Sequence, residues 1–311
     1  YHIAIQVFRQ VGLRGGKAMS ELTKALQLSH VNAKRKNIVV KVLLYTLLTM
    51  VGVITVFPYL WMLFTTFKQP LEAMMPSLKL FPEVFSIESY FKLADQTPSF
   101  LRSIGNTMII ELTVVPIGTL VSALAAFAFA KMRLPCKRFL LLFLMSGMMV
   151  PYAAVLLPQY RAYSALGWTG TLLPLIVPGL FGNIGMMFFF IQYMKNTPDS
   201  LIEAGRIDGA GWLRNFWTIV LPTIVPAIAA QVIFWFLGIW NDYFAPSVYL
   251  SGSNWLTVQA LLAIINDNNS RRPDLPLVMA GATVSSIPIV VLYIAFQKYF
   301  VQSLALTGIK E

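Results

Sequence analysis

The amino-acid sequence predicts an all-α, polytopic membrane protein with six transmembrane helices, and three observations carry that prediction. The first is composition: of 311 residues 57% are hydrophobic and only 12% charged, against roughly 45–50% and 25% in a soluble domain. Mean hydropathy is +0.68, which leaves more apolar surface than a domain of this size hides from water. The second is a set of apolar runs of about 20 residues or more, the length needed to cross a bilayer core. The third is the placement of Lys and Arg, which alternates between the two sides of those runs.

Six runs qualify as spans: residues 42–67, 104–130, 139–160, 172–194, 215–241 and 275–297. The first follows about 40 mostly polar and basic residues and is too long for a signal-peptide core, so it is expected to remain in the membrane. Glu111 is the one charge inside the second run. Proline recurs within the spans, at Pro58, Pro116, Pro151, Pro158, Pro174, Pro178, Pro222, Pro226 and Pro288. Neighbouring helices satisfy the backbone groups that each ring frees, so this pattern predicts kinked, packed helices around a path.

Orientation follows from the basic residues, because they resist translocation. The N-terminal segment, the connection Lys131–Arg138, the connection Lys195–Arg214 and the tail from Lys298 together hold 17 Lys and Arg; the other three connections hold seven. Both termini are therefore expected in the cytoplasm. This rule also absorbs the formal charge of +11, and nucleic-acid binding is not expected. Anionic lipid is the better partner for the basic segment 1–37, which precedes a six-helix domain over 38–311. One cysteine, Cys136, excludes an internal disulfide or thiolate metal cage, and His2 and His30 offer little for metal chemistry. No metal site and no catalytic residue is expected.

The connection 196–222 carries the sharpest motif. Thr197, Pro198 and Asp199 read as N-cap, first helical residue and dipole-compatible acid. A short helix then presents Leu201, Ile202, Glu203, Ala204 and Gly205, followed by Asp208, Gly209 and Ala210. Glu203-Ala204-Gly205, Gly209 after three residues, Ile219 after nine more and Leu221-Pro222 resemble the EAA loop of binding-protein-dependent ABC importers. The one departure is Gly205 where that pattern has alanine, a change that weakens a helix by about 1 kcal/mol. Asn106-Thr107, Lys131-Met132-Arg133, Trp240-Asn241-Asp242-Tyr243 with Pro246, and Gln297-Lys298-Tyr299-Phe300 are similar to the carbohydrate branch, in particular its maltose-type second permease subunit.

That resemblance implies a type I importer permease fold in a bacterial cytoplasmic (inner) membrane. It implies a heteromeric complex with a homologous second permease, two ATP-binding subunits and an extracytoplasmic solute-binding protein. ATP and Mg would sit on the ATPase partners, in keeping with the absence of a G-x-x-x-x-G-K-[ST] loop here. The 201–211 helix would dock on the ATPase and transmit its closure, so this chain would be a transport subunit and not an enzyme. Thr307, Gly308 and Lys310 would reach the ATPase interface, and Asn254, Trp255, Asn266, Asp267 and Asn268, in an outer loop 242–274, would meet the binding protein.

For the solute path, Gln231, Trp235 and Asp242 share a helical face with Trp240 and Asn241 beside it, an aromatic-plus-polar set suited to sugars. Glu111 is a further path candidate, because a carboxylate within a span is costly; seven residues past Ile104, it also lies within reach of the outer surface. Within the family a different solute, such as a phosphorylated glycerol or a polyamine, is the alternative. An ion-driven secondary transporter is another, but it calls for embedded acidic pairs and repeat symmetry that this sequence lacks.

Overall fold

The computed structural model describes residues 16–75, 79–96, 98–271 and 273–308, and among these every regular element is helical. The chain divides into two units, Tyr1–Trp61 and Met62–Glu311.

Helix α1 (Gly16–Thr65) is 50 residues long and makes up the first unit's described part. At 1.5 Å per residue it measures about 75 Å, far more than the ~30 Å of a bilayer core. Only its apolar stretch Ile38–Thr65 has the character of a span. Every side chain from 38 to 60 is exposed within the chain, an apolar surface suited to lipid and not to water.

The second unit opens with two short helices, α2 (Pro70–Met74) and α3 (Glu88–Ala94), and then α4 (Phe100–Lys131), the long helix at its centre. Small and polar residues on α4 (Ser103, Asn106, Thr107, Gly118, Ser122, Ala123, Ala126) are buried, which lets neighbouring helices approach closely. The remaining elements are α5 (Lys137–Gly147), α6 (Tyr152–Ala165), α7 (Leu173–Leu180), α8 (Ile184–Lys195), α9 (Asp199–Ile207) and α10 (Trp212–Asn215). A π-helical turn, Phe216–Val220, leads into α11 (Leu221–Thr223), α12 (Val225–Trp240), α13 (Phe244–Tyr249), α14 (Val258–Arg271) and α15 (Leu275–Gly308). Helix α4 packs against α7, α8, α12 and α14, and α15 packs against α12, α14 and α3.

Four described helices are long and apolar enough to cross a membrane, and two bent pairs bring the number to six. The structure thus breaks two of the expected spans. Residues 139–160 form α5 and α6, which meet at 89°. Pro151 disfavours the α conformation at Val150 and lacks the amide that would continue the ladder. Residues 215–241 bend by 79° where α11 meets α12, in the stretch that holds Pro222 and Pro226. The expected outer loop 242–274 is likewise largely helical, because Val258, Leu261 and Ile265 recur at helical spacing and are buried. The sequence reading missed α14 because the polar run Asn266–Ser270 lies at its far end.

Helix–helix polar ties complete the unit. Asn106 Nδ2 donates to Leu256 O (3.0 Å), and Thr107 Oγ1 accepts the amide of Val258 (3.0 Å), so α4 satisfies backbone groups at the start of α14. Pro288 interrupts the ladder of α15, and Trp240 Nε1 donates to the carbonyl of Ser285, three residues before it (3.0 Å).

Candidate functional site

Helix α9 begins at Asp199, with Pro198 ahead of it. Thr197 is therefore not the N-cap that the sequence suggested. It is buried, its hydroxyl is paired with that of Thr223 (3.1 Å), and its carbonyl accepts from Lys131 Nζ (2.6 Å). Lys131 also binds Asp199 Oδ1 (2.6 Å), and this bond, with the charge behind it, holds the Asp199 carboxyl below its ordinary range.

The far end of α9 closes as a Schellman motif. The Gly209 amide donates to Arg206 O (3.0 Å) and the Ala210 amide to Gly205 O (2.8 Å), with Gly209 left-handed at φ +81°. A single buried side chain, Ile202, anchors the helix in a core with Phe127, Met194, Phe216 and Val220. Beneath it Asn215, fully buried, donates from Nδ2 to Ile202 O (3.2 Å). A Cβ at Gly205 would collide with Asn215 Oδ1 and come within 3.0 Å of Ile219. The departure from alanine at 205 thus has a local cause: helix α9 lies too close to Asn215 for a methyl group. Arg206 stacks on Trp212 (4.8 Å), fastening α9 to α10.

The opposite face is open. Leu201 is 49% and Ile207 86% exposed, and Glu203, Ala204, Asp208 and Gly209 are exposed with them. The result is a small amphipathic helix held at both ends and from below, with apolar and acidic side chains presented outward.

The path candidates do not form one constellation. Trp240 is fully enclosed by this chain, stacked on Phe236 (5.5 Å) as well as bonded to Ser285, so it meets no solute in this conformation. Trp235 lies half-buried against Gly118, and Gln231 is half-buried on the same helix. Asn241 is exposed, but its amide donates to Leu237 O (2.9 Å). Asp242 Oδ1 accepts the amides of Phe244 (3.0 Å) and Ala245 (3.3 Å). Burial pushes the Asp242 carboxyl above its usual range, against the pull of those two amides. Glu111 does not reach the outer surface: α4 starts at Phe100, and the carboxyl lies 11 residues in, 1% exposed.

A cluster that the sequence did not suggest lies close to Asp242. Tyr152 hydroxyl pairs with Tyr249 hydroxyl (3.3 Å), which donates to Gln159 Oε1 (3.0 Å). Tyr163 stacks on Trp168 (5.7 Å) and meets Tyr249 edge-on (5.3 Å). Tyr152 is 46% exposed; Tyr152, Gln159 and Tyr163 lie on α6, the second arm of the bent pair, and Tyr249 on α13. The partners stand 90 to 97 residues apart in sequence, so no local signal announces them.

At the far side, Arg102 lies over the partly exposed Trp255 ring (5.4 Å), and Asn254 O faces Asn106 (3.4 Å). Asn266, Asp267 and Asn268 are exposed on α14. Helix α15 runs to Gly308, but the side chain of Thr307 and all of Lys310 lie outside the described residues. Among the described residues no group of His, Cys, Asp and Glu has the arrangement of a metal site.

Comparison with known proteins agrees with this architecture. Residues 28–306 match the family described as "Binding-protein-dependent transport system inner membrane component". The chain is 28% identical to the arabinooligosaccharides transport system permease protein AraQ of Halalkalibacterium halodurans, over 84% of this chain and 93% of that one. It is 29% identical to the maltodextrin transport system permease protein MdxG of Bacillus subtilis, over 90% and 99%. With the osmoprotective compounds uptake permease protein GgtD of a Synechocystis species it shares 32% identity over 68% of this chain and 70% of that one. Its fold is similar to a chain of a bacterial ABC transporter involved in the import of the acidic polysaccharide alginate, with a TM-score of 0.73 at 20% identity, over 86% and 98%. By the match across residues 28–306 and by the fold, this chain belongs to the family of binding-protein-dependent transport system inner membrane components.

Proposed function

We propose that this chain is one of two membrane-spanning subunits of an ATP-driven importer for a sugar or oligosaccharide, in the inner membrane of a bacterium. The observation that carries the reading is α9: a short amphipathic helix, braced by Ile202, Asn215, Lys131 and Trp212, whose free face is apolar and acidic. An ATP-binding subunit docks on that face, through Leu201, Glu203, Ala204, Asp208 and the Gly209 turn. Closure of two such subunits around ATP and Mg moves α9, and the brace to α4 carries the movement into the spans. Thr307, Gly308 and Lys310 supply a second contact with the ATPase pair. A solute-binding protein delivers the sugar from outside, meeting Asn254, Trp255 and the exposed residues Asn266, Asp267 and Asn268.

A homologous permease completes the path. On this side the path is lined by Tyr152, Gln159 and Asp242, and Gln231 and Trp235 of α12 are further candidates for its wall. Phenol, amide and carboxylate groups are costly against lipid, so an exposed Tyr152 with the half-buried Gln159 and Asp242 favours a wet lining. The saccharide substrate is supported by relatives named for arabinooligosaccharides and maltodextrin. A small osmoprotective solute is the second reading, favoured by the 32% identical relative named for osmoprotective compounds.

The test is co-purification of the chain with its encoded neighbours, then ATP hydrolysis with and without the binding protein across a panel of saccharides and osmolytes. Binding-protein-stimulated hydrolysis in wild type that disappears in an assembled Gly209→Asp complex is the expected result. A chain that purifies alone and moves solute down an ion gradient would overturn it.

A further inference from the structure

An apolar surface apart from α9 and from the path lies in the connection between the first two spans. Among its described residues, Leu71, Met74, Phe81, Val84, Phe85 and Phe91 are each between 54 and 76% exposed. Single exposed apolar side chains are ordinary, but this concentration marks a surface that meets something apolar.

The connection is folded, and its own contacts set its depth. Phe81 meets Phe64 edge-on (4.7 Å), and Phe85 stacks on Phe67 (4.7 Å). Phe64 stands one residue before the end of the apolar span Ile38–Thr65, so Phe81 lies level with the last turn of that span. Tyr90 is tied to the same place, its hydroxyl donating to Thr66 Oγ1 (3.1 Å). Helix α2 joins the stretch through Glu72, whose Oε1 accepts the amide of Glu83 (2.9 Å). Leu71 and Met74, three residues apart, share one side of α2. The cations of the connection are all engaged within the chain. Lys68 is buried and donates to Lys79 O (2.5 Å), Lys79 pairs with Glu83, and Lys92 pairs with Glu88 (3.1 Å) and Asp274 (3.0 Å). What the connection offers an outside partner is therefore mainly apolar.

We propose that residues 70–75 and 79–91 form a membrane-binding element in the bilayer interface, with Leu71, Met74, Val84 and Phe85 inserted among the lipid headgroups and upper acyl chains. The height of the element favours lipid as the occupant. Beside the last turn of a span lies the boundary between headgroups and acyl chains, where apolar side chains sink about 5–10 Å. A soluble protein that docks and leaves would bare the same side chains to water at each departure, whereas lipid covers them continuously. With every lysine engaged, insertion depends on apolar area and not on anionic lipid. The element holds the end of the first span at a fixed depth, where the chain turns back toward α4.

The test uses the full chain in complex with its encoded partner subunits, reconstituted in phosphatidylcholine vesicles and in vesicles that also hold phosphatidylglycerol. In a Cys136→Ser background, Met74→Cys, Val84→Cys and Phe85→Cys are made singly and spin-labelled. Electron paramagnetic resonance then measures collisions with oxygen, which partitions into lipid, and with a water-soluble nickel chelate. The ratio of oxygen to nickel collisions is expected to be several-fold higher than for a soluble spin-labelled peptide, and the same in both vesicles. A ratio like that of the peptide, shielding from both reagents by a protein, or insertion only where phosphatidylglycerol is present would each overturn the proposal. Failure of all three variants to assemble would do so too, because side chains inserted in lipid hold no subunit contact together. The readout needs no ATP hydrolysis, so it stands whether or not the complex is an importer.

Discussion

Gly205 and Asn215 form a pair in which each determines what the other can be. Asn215 spends its amide on the carbonyl of Ile202, and its oxygen fills the space where residue 205 would carry a Cβ. Gly205→Ala should therefore destabilise the docked α9 by about 1–3 kcal/mol, despite alanine's better helix propensity. The cost should shrink in an Asn215→Ala background, so a double-mutant cycle read by thermal unfolding of the purified complex gives a non-zero coupling. Gly209 is constrained differently, by its left-handed backbone. Gly209→Ala should cost roughly 1–2 kcal/mol at the Schellman turn, seen as faster amide exchange at Gly209 and Ala210.

At the scale of elements, α9 is clasped at both ends. The Lys131–Asp199 pair ties its first turn to the end of α4, and the lowered carboxyl range of Asp199 reflects that tie. Its folded value lies below its unfolded one. The tie is thus complete above the ordinary carboxylate range and is lost as pH falls through the lowered value. Asp199→Asn should reproduce the acid form at neutral pH: amide exchange over residues 199–207, corrected for intrinsic rates, should quicken in the variant and show no further acid loosening. The second arm of the bent pair, α6, depends on a comparable tie, Tyr152–Tyr249–Gln159. Tyr249→Phe removes both bonds and should lower the rate of solute import more than it lowers complex stability, if α6 lines the path.

For the whole molecule the first question is which way it faces. Cys136 is the chain's one cysteine, is exposed, and lies in the connection between α4 and α5 that charge counting assigns to the cytoplasm. A membrane-impermeant maleimide should therefore label it in inside-out vesicles and not in intact cells. Labelling from outside would invert the topology and move α9 away from any ATPase.

The sequence by itself determined the apolar runs, their number, the charge asymmetry and the motif from Glu203 to Pro222, because each rests on local composition or on fixed spacing within one segment. It also placed Glu111 inside a span. Tertiary structure decided the rest. The 89° and 79° bends needed neighbours able to satisfy the backbone that proline frees, and α14 needed an apolar groove beside α4 before its Val258, Leu261 and Ile265 face could outweigh a polar end. Gly205 looked like a weakened helix until Asn215 appeared beneath it, ten residues on. Trp240 looked like a sugar platform until its indole was found bonded to α15. In each case the deciding partner lies on a different helix, and spacing within one segment carries no information about which helix packs against which.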